Sequence, residues 1–364
     1  MKLLITGGGT GGHVSPGLAV AGVWKERHGH DSVLWAGRKG GIEERMALSA
    51  GLRFESVASA GLRRSLDWRN LALPWTLGKG LSQAFGLLKR EQPDAVLMTG
   101  GYAGAPVAFA AALRQLALVL LEPNAVLGLA NRFFAGAAGA ICLAYPVEPP
   151  RPNTVVTGNP VRFSPELPER APSRKAFGLS SQGPVLLVLA GSQGAHSINA
   201  ALGRALEAGA LGDLQLIWIT GNRDLEACKA IVDKSGARAF VASFTDQVAQ
   251  AYAAADLVLA RSGASMLAEI AVAGKPALLV PFPFATGDHQ RLNAERFVQA
   301  GAARLLADKD LDQDLRLASE LTALMADQGL VARMAAASKR LGRPDAAKDV
   351  AGVLERIIKG FKYA

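Results

Sequence analysis

The chain carries the same local pattern twice, and this repetition constrains the fold more than any other feature. In each copy a short apolar run leads through a glycine-rich turn into a helical pattern: KLLITGGGTGGH begins at Lys2, and VLLVLAGSQGAH begins at Val185. A strand that passes through a glycine turn into a helix is the opening unit of a parallel α/β sheet. The repetition therefore predicts an α/β protein with two Rossmann-like domains.

The remaining segments alternate short apolar runs with helical periodicity, as βαβ units do. Predicted strands lie at residues 2–6, 32–36, 94–99, 116–121 and 140–143, and then at residues 185–190, 214–220, 239–242, 257–260 and 277–280. A linker is expected within the proline-rich residues 146–172, because proline interrupts both helices and central strands. We expect domains at residues 1–160 and 161–340, and a C-terminal helix in residues 341–364 for which packing on the N-terminal domain is one arrangement.

Length and charge narrow the function classes. A chain of 364 residues exceeds what one hydrophobic core usually supports, which also favours two domains. The formal charge of +9, from 40 basic and 31 acidic residues, implies an anionic partner such as a phosphorylated substrate or an anionic lipid. Nucleic acid is not expected, because the basic residues are scattered and no zinc-ligand spacing, RNP-like motif or basic helix is present.

The cysteines and the apolar stretches bear on location. Cys142 and Cys228 are far apart in the sequence, which argues against a disulfide framework and fits a reducing cytoplasm. The first residues run directly from a strand into the glycine turn, unlike a signal peptide. The longest apolar stretch, residues 103–121, is interrupted by Arg114 and Gln115 and predicts a helix followed by a buried strand. Any membrane association is therefore expected at the surface of the bilayer.

The first glycine turn holds the main candidate for chemistry. Gly7, Gly9 and Gly12 fit the dinucleotide fingerprint, which keeps an NADP-dependent reductase open, although the acidic residue expected after the second strand is missing. Backbone N–H groups at the start of a helix also form an anion site. His13 follows the turn, where the neighbouring glycines leave it little side-chain packing, and a neutral imidazole there can take a proton from a hydroxyl. We therefore favour His13 as a general base over a packing role.

Three further motifs follow in the second half. Ser192 lies in the turn GSQGA, a candidate phosphate contact, and Glu269 lies in the segment that starts RSGASMLAE at Arg261. Glu269 either complements the helix dipole or accepts bonds from ribose hydroxyls. The segment Gly287-Asp-His-Gln290, together with Asn293, offers polar side chains to sugar hydroxyls. The acidic residues 308–314 are interpreted as a solvated helix cap, so neither a metal site nor a cofactor is expected.

These four motifs, together with GNPVR at residues 158–162, resemble the MurG family of N-acetylglucosamine (GlcNAc) transferases over essentially the whole chain. The resemblance implies a GT-B fold, with two domains facing each other across a cleft and UDP-GlcNAc held mainly by the second domain. His13 would be the base, and no metal would take part. The implied substrate contacts are Thr10, Gly11, Gly12, Asn124, Arg162, Ser192, Thr245, Ala264, Ser265, Met266, Leu267, Ala268, Glu269 and Gln290.

The family resemblance also implies an acceptor and a location. The acceptor would be lipid I, undecaprenyl-pyrophosphoryl-MurNAc-peptide, and transfer would invert the anomeric centre to give lipid II for the bacterial cell wall, which supports cell shape and division. The enzyme would lie peripherally on the cytoplasmic face of the inner membrane. Residues 73–90 predict an amphipathic helix that either rests on anionic lipid or packs on the first sheet.

One departure from the family pattern concerns the acceptor. Where relatives read His-Glu-Gln-Asn, this chain has Leu121-Glu-Pro-Asn124, which removes two polar groups near the presumed acceptor pocket. The chemistry of the donor should be unaffected. Within enzymes, the alternatives are a related GT-B transferase with another lipid or small acceptor and a UDP-GlcNAc epimerase. The alternatives from other classes are the NADP-dependent reductase and a nucleotide-sugar sensor without catalysis.

Overall fold

The computed structural model describes residues 1–59, 73–146, 149, 151–190, 194–313 and 315–362. They form two compact units. The first consists of Met1–Arg162 with Asp345–Ala364, and the second of Phe163–Pro344. Each unit is a parallel sheet covered by helices, which is the two-domain α/β architecture that the repeated strand and glycine turn predicted.

The first unit contains a sheet of seven parallel strands in the order β3-β2-β1-β4-β5-β6-β7. The strands are β1 Leu3–Thr6, β2 Val33–Gly37, β3 Arg53–Ser56, β4 Ala95–Met98, β5 Ala117–Glu122, β6 Ala140–Leu143 and β7 Thr154–Val156. The helices are α1 Gly11–His28, α2 Ile42–Ser49, α3 Leu73–Glu91, α4 Ala105–Leu113, α5 Leu129–Phe134 and α14 Ala346–Lys362. Strands β1, β2, β4, β5 and β6 are fully buried, as expected of a sheet covered on both faces.

The second unit contains a parallel sheet in the order β10-β9-β8-β11-β12-β13. Its strands are β8 Val185–Leu189, β9 Gln215–Ile219, β10 Ala239–Ala242, β11 Leu257–Ala260, β12 Ala277–Leu279 and β13 Ala303–Leu305. Its helices are α6 Arg170–Ala176, α7 His196–Glu207, α8 Leu225–Ser235, α9 Val248–Ala254, α10 Ala264–Val272, α11 His289–Gln299, α12 Arg316–Ala326 and α13 Gln328–Leu341. Two clusters of buried apolar side chains cover the two faces of this sheet.

The ten predicted strands are confirmed, but three edge strands were not predicted. Strands β3, β7 and β13 are short and partly exposed. Their sequences lack the long continuous apolar run that indicates a central strand. Strand β7 pairs in parallel with β6 and lies beyond the prolines at residues 146–152. Part of the expected linker region therefore belongs to the first sheet.

The last helix completes the core of the first unit. Val350, Leu354 and Ile358 of α14 are buried with residues of β1 and α1, including Leu3 and Val14. Glu355 of α14 also lies 3.0 Å from Nε2 of His28 at the end of α1. None of the helices in the described part of the chain is long and apolar enough to cross a membrane; residues 105–122 form α4 and β5, as predicted.

Strand order identifies where ligands are expected in each unit. In the first sheet β1 lies beside β4, and in the second β8 lies beside β11, so the chain reverses its direction of winding at these two points. In open α/β sheets ligands bind outside the carboxyl ends of the strands at such a switch point. The first glycine turn begins at the first of these points, directly after β1.

Candidate active site

The turns after β1 and β4 contact each other closely. The N–H of Gly8 donates to the carbonyl oxygen of Gly100 over 3.2 Å. Gly101 has a φ of 77°, and a Cβ at this position would lie 2.1 Å from the carbonyl oxygen of Gly8. Only glycine fits this conformation and this approach. The two turns thus form one continuous backbone surface at the switch point.

His13 lies against this surface in the first turn of α1 and is half-buried. A Cβ built on Gly100 would lie 3.0 Å from His13 Cδ2, so the ring packs on bare backbone. These glycines therefore contact the ring through their backbone and offer it no side-chain packing. Thr10 Oγ1 lies 3.1 Å from His13 Nδ1. In the tautomer whose Nδ1–H donates to Thr10, Nε2 carries the lone pair that a general base needs.

The anion site expected at this turn has fewer available backbone N–H groups than predicted. The N–H of Gly8 is used by Gly100, and the N–H of Gly9 donates to Glu43 Oε2 over 3.1 Å. These two N–H groups are therefore not available to an anion, and the predicted contacts at Thr10, Gly11 and Gly12 lie at the helical end of the turn. Glu43 was not identified from the sequence; the only signal was its position among Gly37, Gly40 and Gly41.

Asn124 is held by a buried carboxylate at the end of β5. Glu122 is 2% exposed and accepts hydrogen bonds from the backbone N–H of Asn124 (3.1 Å) and of Gly128 (2.8 Å). It also accepts from the Asn124 side chain (3.0 Å) and from Asn131 Nδ2 (2.9 Å). Asn131 in turn lies near the backbone of Gly100. The first unit thus brings Thr10 and His13 to the carboxyl end of β1 and Asn124 to that of β5, on either side of β4.

Leu121 and Pro123, the two departures from the family pattern, lie in the protein interior. Leu121 is fully buried among core side chains, and Pro123 is buried as well. Leu121 therefore contributes to packing at the end of β5.

Arg162 and Ser192 are the two predicted phosphate contacts. Arg162 is exposed at the end of the first unit. Ser192 lies outside the described residues.

In the second unit, Glu269 lies beyond the first turn of α10, after the N-cap Gly263. Carboxylates stabilise the helix dipole mainly in the first turn, so this role is disfavoured. The Tyr252 hydroxyl lies 3.4 Å from Glu269 Oε2 and 3.6 Å from Met266 Sδ. Burial, and then the adjacent Glu269, raise the pKa of Tyr252, so its hydroxyl stays protonated and donates to the carboxylate. Tyr252 orients Glu269 and was not identified from the sequence.

Of the other residues expected near UDP-GlcNAc, Gln290 and Asn293 lie in α11, and Thr245 lies in the loop before α9. Gln290 Oε1 accepts the N–H of Phe282 over 3.0 Å, and Thr245 Oγ1 accepts the N–H of Gln247 over 3.1 Å. Asn293 is fully buried, and its Nδ2 lies 3.4 Å from the carbonyl oxygen of Ser262. Grouping Asn293 with sugar-binding side chains was therefore wrong, because it is used inside the protein.

Asp308 is also used inside the second unit. It accepts from Ser197 Oγ over 2.8 Å and pairs with Arg261, whose Nη1 also donates to the backbone oxygens of Val280 and Pro281. The interpretation of Asp308 as a solvated cap was wrong, because long-range partners surround it. Within the described residues, no three His, Cys, Asp or Glu side chains are grouped so as to hold a metal ion.

The two units match the two domains of one enzyme family. Residues 3–142 match the N-terminal domain of glycosyltransferase family 28, and residues 185–350 match its C-terminal domain. Both matches include the glycine turn that opens the unit.

Full-length relatives carry a more specific name. Proteins from Carboxydothermus hydrogenoformans (38% identical, covering 99% of this chain and 98% of the relative) and Halorhodospira halophila (40%, 98% and 98%) are both named UDP-N-acetylglucosamine–N-acetylmuramyl-(pentapeptide) pyrophosphoryl-undecaprenol N-acetylglucosamine transferase.

Solved structures are also similar to this chain. MurG from Acinetobacter baumannii has a TM-score of 0.77 at 27% identity, over 98% of this chain and 99% of that chain. A UDP-N-acetylglucosamine 2-epimerase has a TM-score of 0.66 at 16% identity, over 100% and 97%, a likeness of fold alone. With the full-length relatives, this makes the chain a member of glycosyltransferase family 28, within the MurG family of N-acetylglucosamine transferases.

Proposed function

We propose that this enzyme transfers GlcNAc from UDP-GlcNAc to the C4 hydroxyl of the MurNAc sugar of lipid I, giving lipid II for peptidoglycan synthesis. The observation that carries the proposal is His13, oriented by Thr10 at the switch point of the first sheet. The names of the full-length relatives support the donor and the acceptor.

In this reaction His13 takes the proton of the C4 hydroxyl while that oxygen attacks the anomeric carbon of GlcNAc. The bond from this carbon to the β-phosphate oxygen breaks, UDP leaves with the electron pair, and the configuration inverts. A positioned base contributes about 10²–10⁴-fold to such a step. Negative charge develops on the leaving diphosphate, where Arg162, Ser192 and helix N-termini are the proposed stabilising groups.

The second unit is the proposed donor-binding unit. The residues from Ala264 to Glu269 form the start of α10 at the carboxyl end of β11, where ligands of such sheets bind. Glu269, held by Tyr252, accepts bonds from the ribose hydroxyls in this proposal. The backbone at Thr245 contacts uracil, and Gln290 contacts the hydroxyls of GlcNAc.

The first unit is the proposed acceptor-binding and membrane-facing unit. On α3, Ala84, Leu87 and Leu88 pack into the core, whereas Trp75 is 86% exposed. The neighbouring helices α4 and α5 expose further apolar side chains, and basic side chains lie among them. The apolar ones are Phe109, Leu113, Leu129 and Phe133, and the basic ones are Lys79, Arg114 and Arg132.

Apolar side chains beside basic ones suit the interface of an anionic membrane. A lipid-anchored acceptor requires such contact, so we place the enzyme peripherally on the cytoplasmic face of the bacterial inner membrane.

An NADP-dependent reductase is the less favoured function for the first glycine turn. A dinucleotide pyrophosphate binds backbone N–H groups of the glycine turn, and those of Gly8 and Gly9 already have acceptors within the protein. A transferase with another lipid or small acceptor differs from the proposal in the acceptor alone.

One assay tests the proposal. The enzyme is incubated with UDP-GlcNAc and lipid I, and UDP release is measured beside the lipid-linked disaccharide. Equal amounts of both products are expected. UDP release that needs a different acceptor would overturn the assignment of lipid I, and binding of UDP-GlcNAc without turnover with any acceptor would indicate a sensor. A change in NADPH absorbance would indicate a reductase.

A further inference from the structure

Glu43 joins the two turns that follow β1 and β2. This residue of α2 is only 1% exposed. One carboxylate oxygen, Oε2, accepts the N–H of Gly9, and the other, Oε1, accepts the N–H of Arg38, each over 3.1 Å. Because both oxygens accept N–H bonds, the ionised carboxylate is the form that matches this site.

Three glycines make room for the Glu43 side chain. A Cβ built on Gly8 would lie 2.5 Å from Glu43 Cδ, one on Gly41 would lie 2.6 Å from the same atom, and one on Gly37 would lie 2.7 Å from Cγ. Any larger residue at these positions would displace the carboxylate. The glycines of both turns therefore form a pocket that fits a carboxylate group.

A glycine turn at the start of a helix normally offers its N–H groups to the anion of a ligand. Here the N–H of Gly9 is bound to an anion that belongs to the chain itself. A phosphate at the same place would be repelled by the buried carboxylate of Glu43. It also could not accept the N–H of Gly9, which already donates to Glu43. The turn continues directly into Thr10 and, three residues later, His13.

We propose that Glu43 is the resident anion of the first glycine turn and, as a positioning residue, holds Thr10 and His13 in place for transfer. This inference rests on the proposed function for its effect on activity. It also implies that the diphosphate of a substrate meets this turn only at its helical end. A displacement of about 1 Å in a reacting group can cost about 10²-fold in rate, so a small shift of the turn is enough to matter.

The test removes the carboxylate and then returns one. Glu43→Ala is expected to lower kcat at least about tenfold with little change in the Kd for UDP-GlcNAc, because the donor loop lies in the other unit. Added formate, which fits the vacated place, is expected to raise both the Tm and the kcat of this variant. Formamide, of similar size but uncharged, should do neither. The control is Glu44→Ala, which removes a neighbouring carboxylate of α2 that binds Gly40 instead.

Glu43→Gln is the second variant, in case the alanine variant does not fold. Its amide keeps the shape of the side chain but can accept only one of the two N–H bonds, so kcat should fall here too. Equal responses of the Glu43→Ala and Glu44→Ala variants to formate, or normal kcat in Glu43→Gln, would overturn the proposal. The rise in Tm with formate needs no substrate. It therefore stands even if the wild-type enzyme proves inactive with lipid I, which would count against the proposed function alone.

Discussion

Thr10 Oγ1 contacts the Nδ1 atom of His13 over 3.1 Å, although Thr10 is the N-cap residue of α1. A threonine at this position usually accepts a bond from a backbone N–H, a contact worth about 1 kcal/mol, and Thr10 makes no such bond. The helix thus forgoes a capping bond, and the hydroxyl orients the imidazole ring instead.

The first prediction follows from this contact. His13→Ala should lower kcat by about 10²–10⁴-fold while UDP-GlcNAc still binds. Thr10→Val should lower kcat by about 10- to 100-fold and change the pH profile, because the ring loses its orientation. Thr10→Ser, which keeps the hydroxyl, should restore most of the rate. Steady-state kinetics across pH check these outcomes, and a Thr10→Val variant with the wild-type profile would contradict the role of the hydroxyl.

Glu269→Ala should mainly raise the KM for UDP-GlcNAc. The proposed ribose contact would form both before and during reaction, and loss of uniform binding appears in KM. Tyr252→Phe should have the same effect to a smaller degree, since it removes only the bond that orients the carboxylate. Kinetics at varied donor concentration measure this. A collapse of kcat at unchanged KM would instead assign Glu269 to the chemical step.

Chelation of divalent metals should leave the rate nearly unchanged. Asp308, the first of the acidic run, is already bound to Ser197 and Arg261, and Arg162 is an alternative source of positive charge for the diphosphate. The measurement is turnover in EDTA, with and without added magnesium or manganese. A loss of activity that either metal restores would require a metal at the leaving group.

Binding to the membrane should depend on the exposed end of α3. Each basic residue near an anionic surface contributes about 1 kcal/mol, weakened by salt, and tryptophan favours the interface. Trp75→Ala with Leu77→Ala should therefore reduce sedimentation with anionic liposomes and leave the Kd for UDP-GlcNAc unchanged. The control is Leu48→Ala on α2, which removes another exposed leucine of the same unit. Equal losses in both variants would place the membrane face elsewhere.

The stability of the first unit should depend on pH through Glu91. Hydrogen bonds from Lys2, and also from Arg90 and Arg53, lower its pKa from 4.5 to about 2. A lowered pKa in the folded state stabilises the protein above the ordinary pKa, and the contribution disappears as pH falls from 4.5 towards 2. It amounts to about 3 kcal/mol at neutral pH.

Thermal unfolding between pH 7 and pH 2 tests this. Glu91→Gln should lower the Tm most at pH 7 and converge with the wild type near pH 2. Glu226→Gln, at an exposed pair with Lys229, should change little at any pH. A difference between Glu91→Gln and the wild type that stays constant over this range would contradict the assignment to Glu91.

The sequence predicted the parts of the fold that depend on local pattern. Central strands such as β1 and β8 are continuous apolar runs, and each leads into a glycine turn, so their position and role could be read directly. The edge strands β3, β7 and β13 could not, because residues such as Arg53 and Thr154 are polar and become strand only by pairing with a neighbour. Secondary structure that depends on a partner distant in sequence leaves no local signal.

The residues of the candidate site also differ in whether the local sequence could predict their roles. Thr10 and His13 are adjacent to the glycine motif and were found with it. Glu43 and Glu122 were missed as organising groups because a carboxylate acquires that role only when donors from other segments surround it. Asp308 and Asn293 were misassigned for the converse reason: both residues are polar in the sequence, but their hydrogen-bond partners lie far along the chain.

The packing of α14 in the first unit has a consequence for the order of folding during synthesis. Most of the unit that contains His13 is translated before the second unit, yet its core lacks Val350, Leu354 and Ile358 until α14 has left the ribosome. The second unit, whose residues are contiguous, can fold earlier. A nascent chain halted before Ala346 should therefore carry a finished second unit beside a first unit with an open apolar face on β1 and α1. A stop codon in the segment that encodes α14 would therefore damage the unit whose other residues are encoded far upstream.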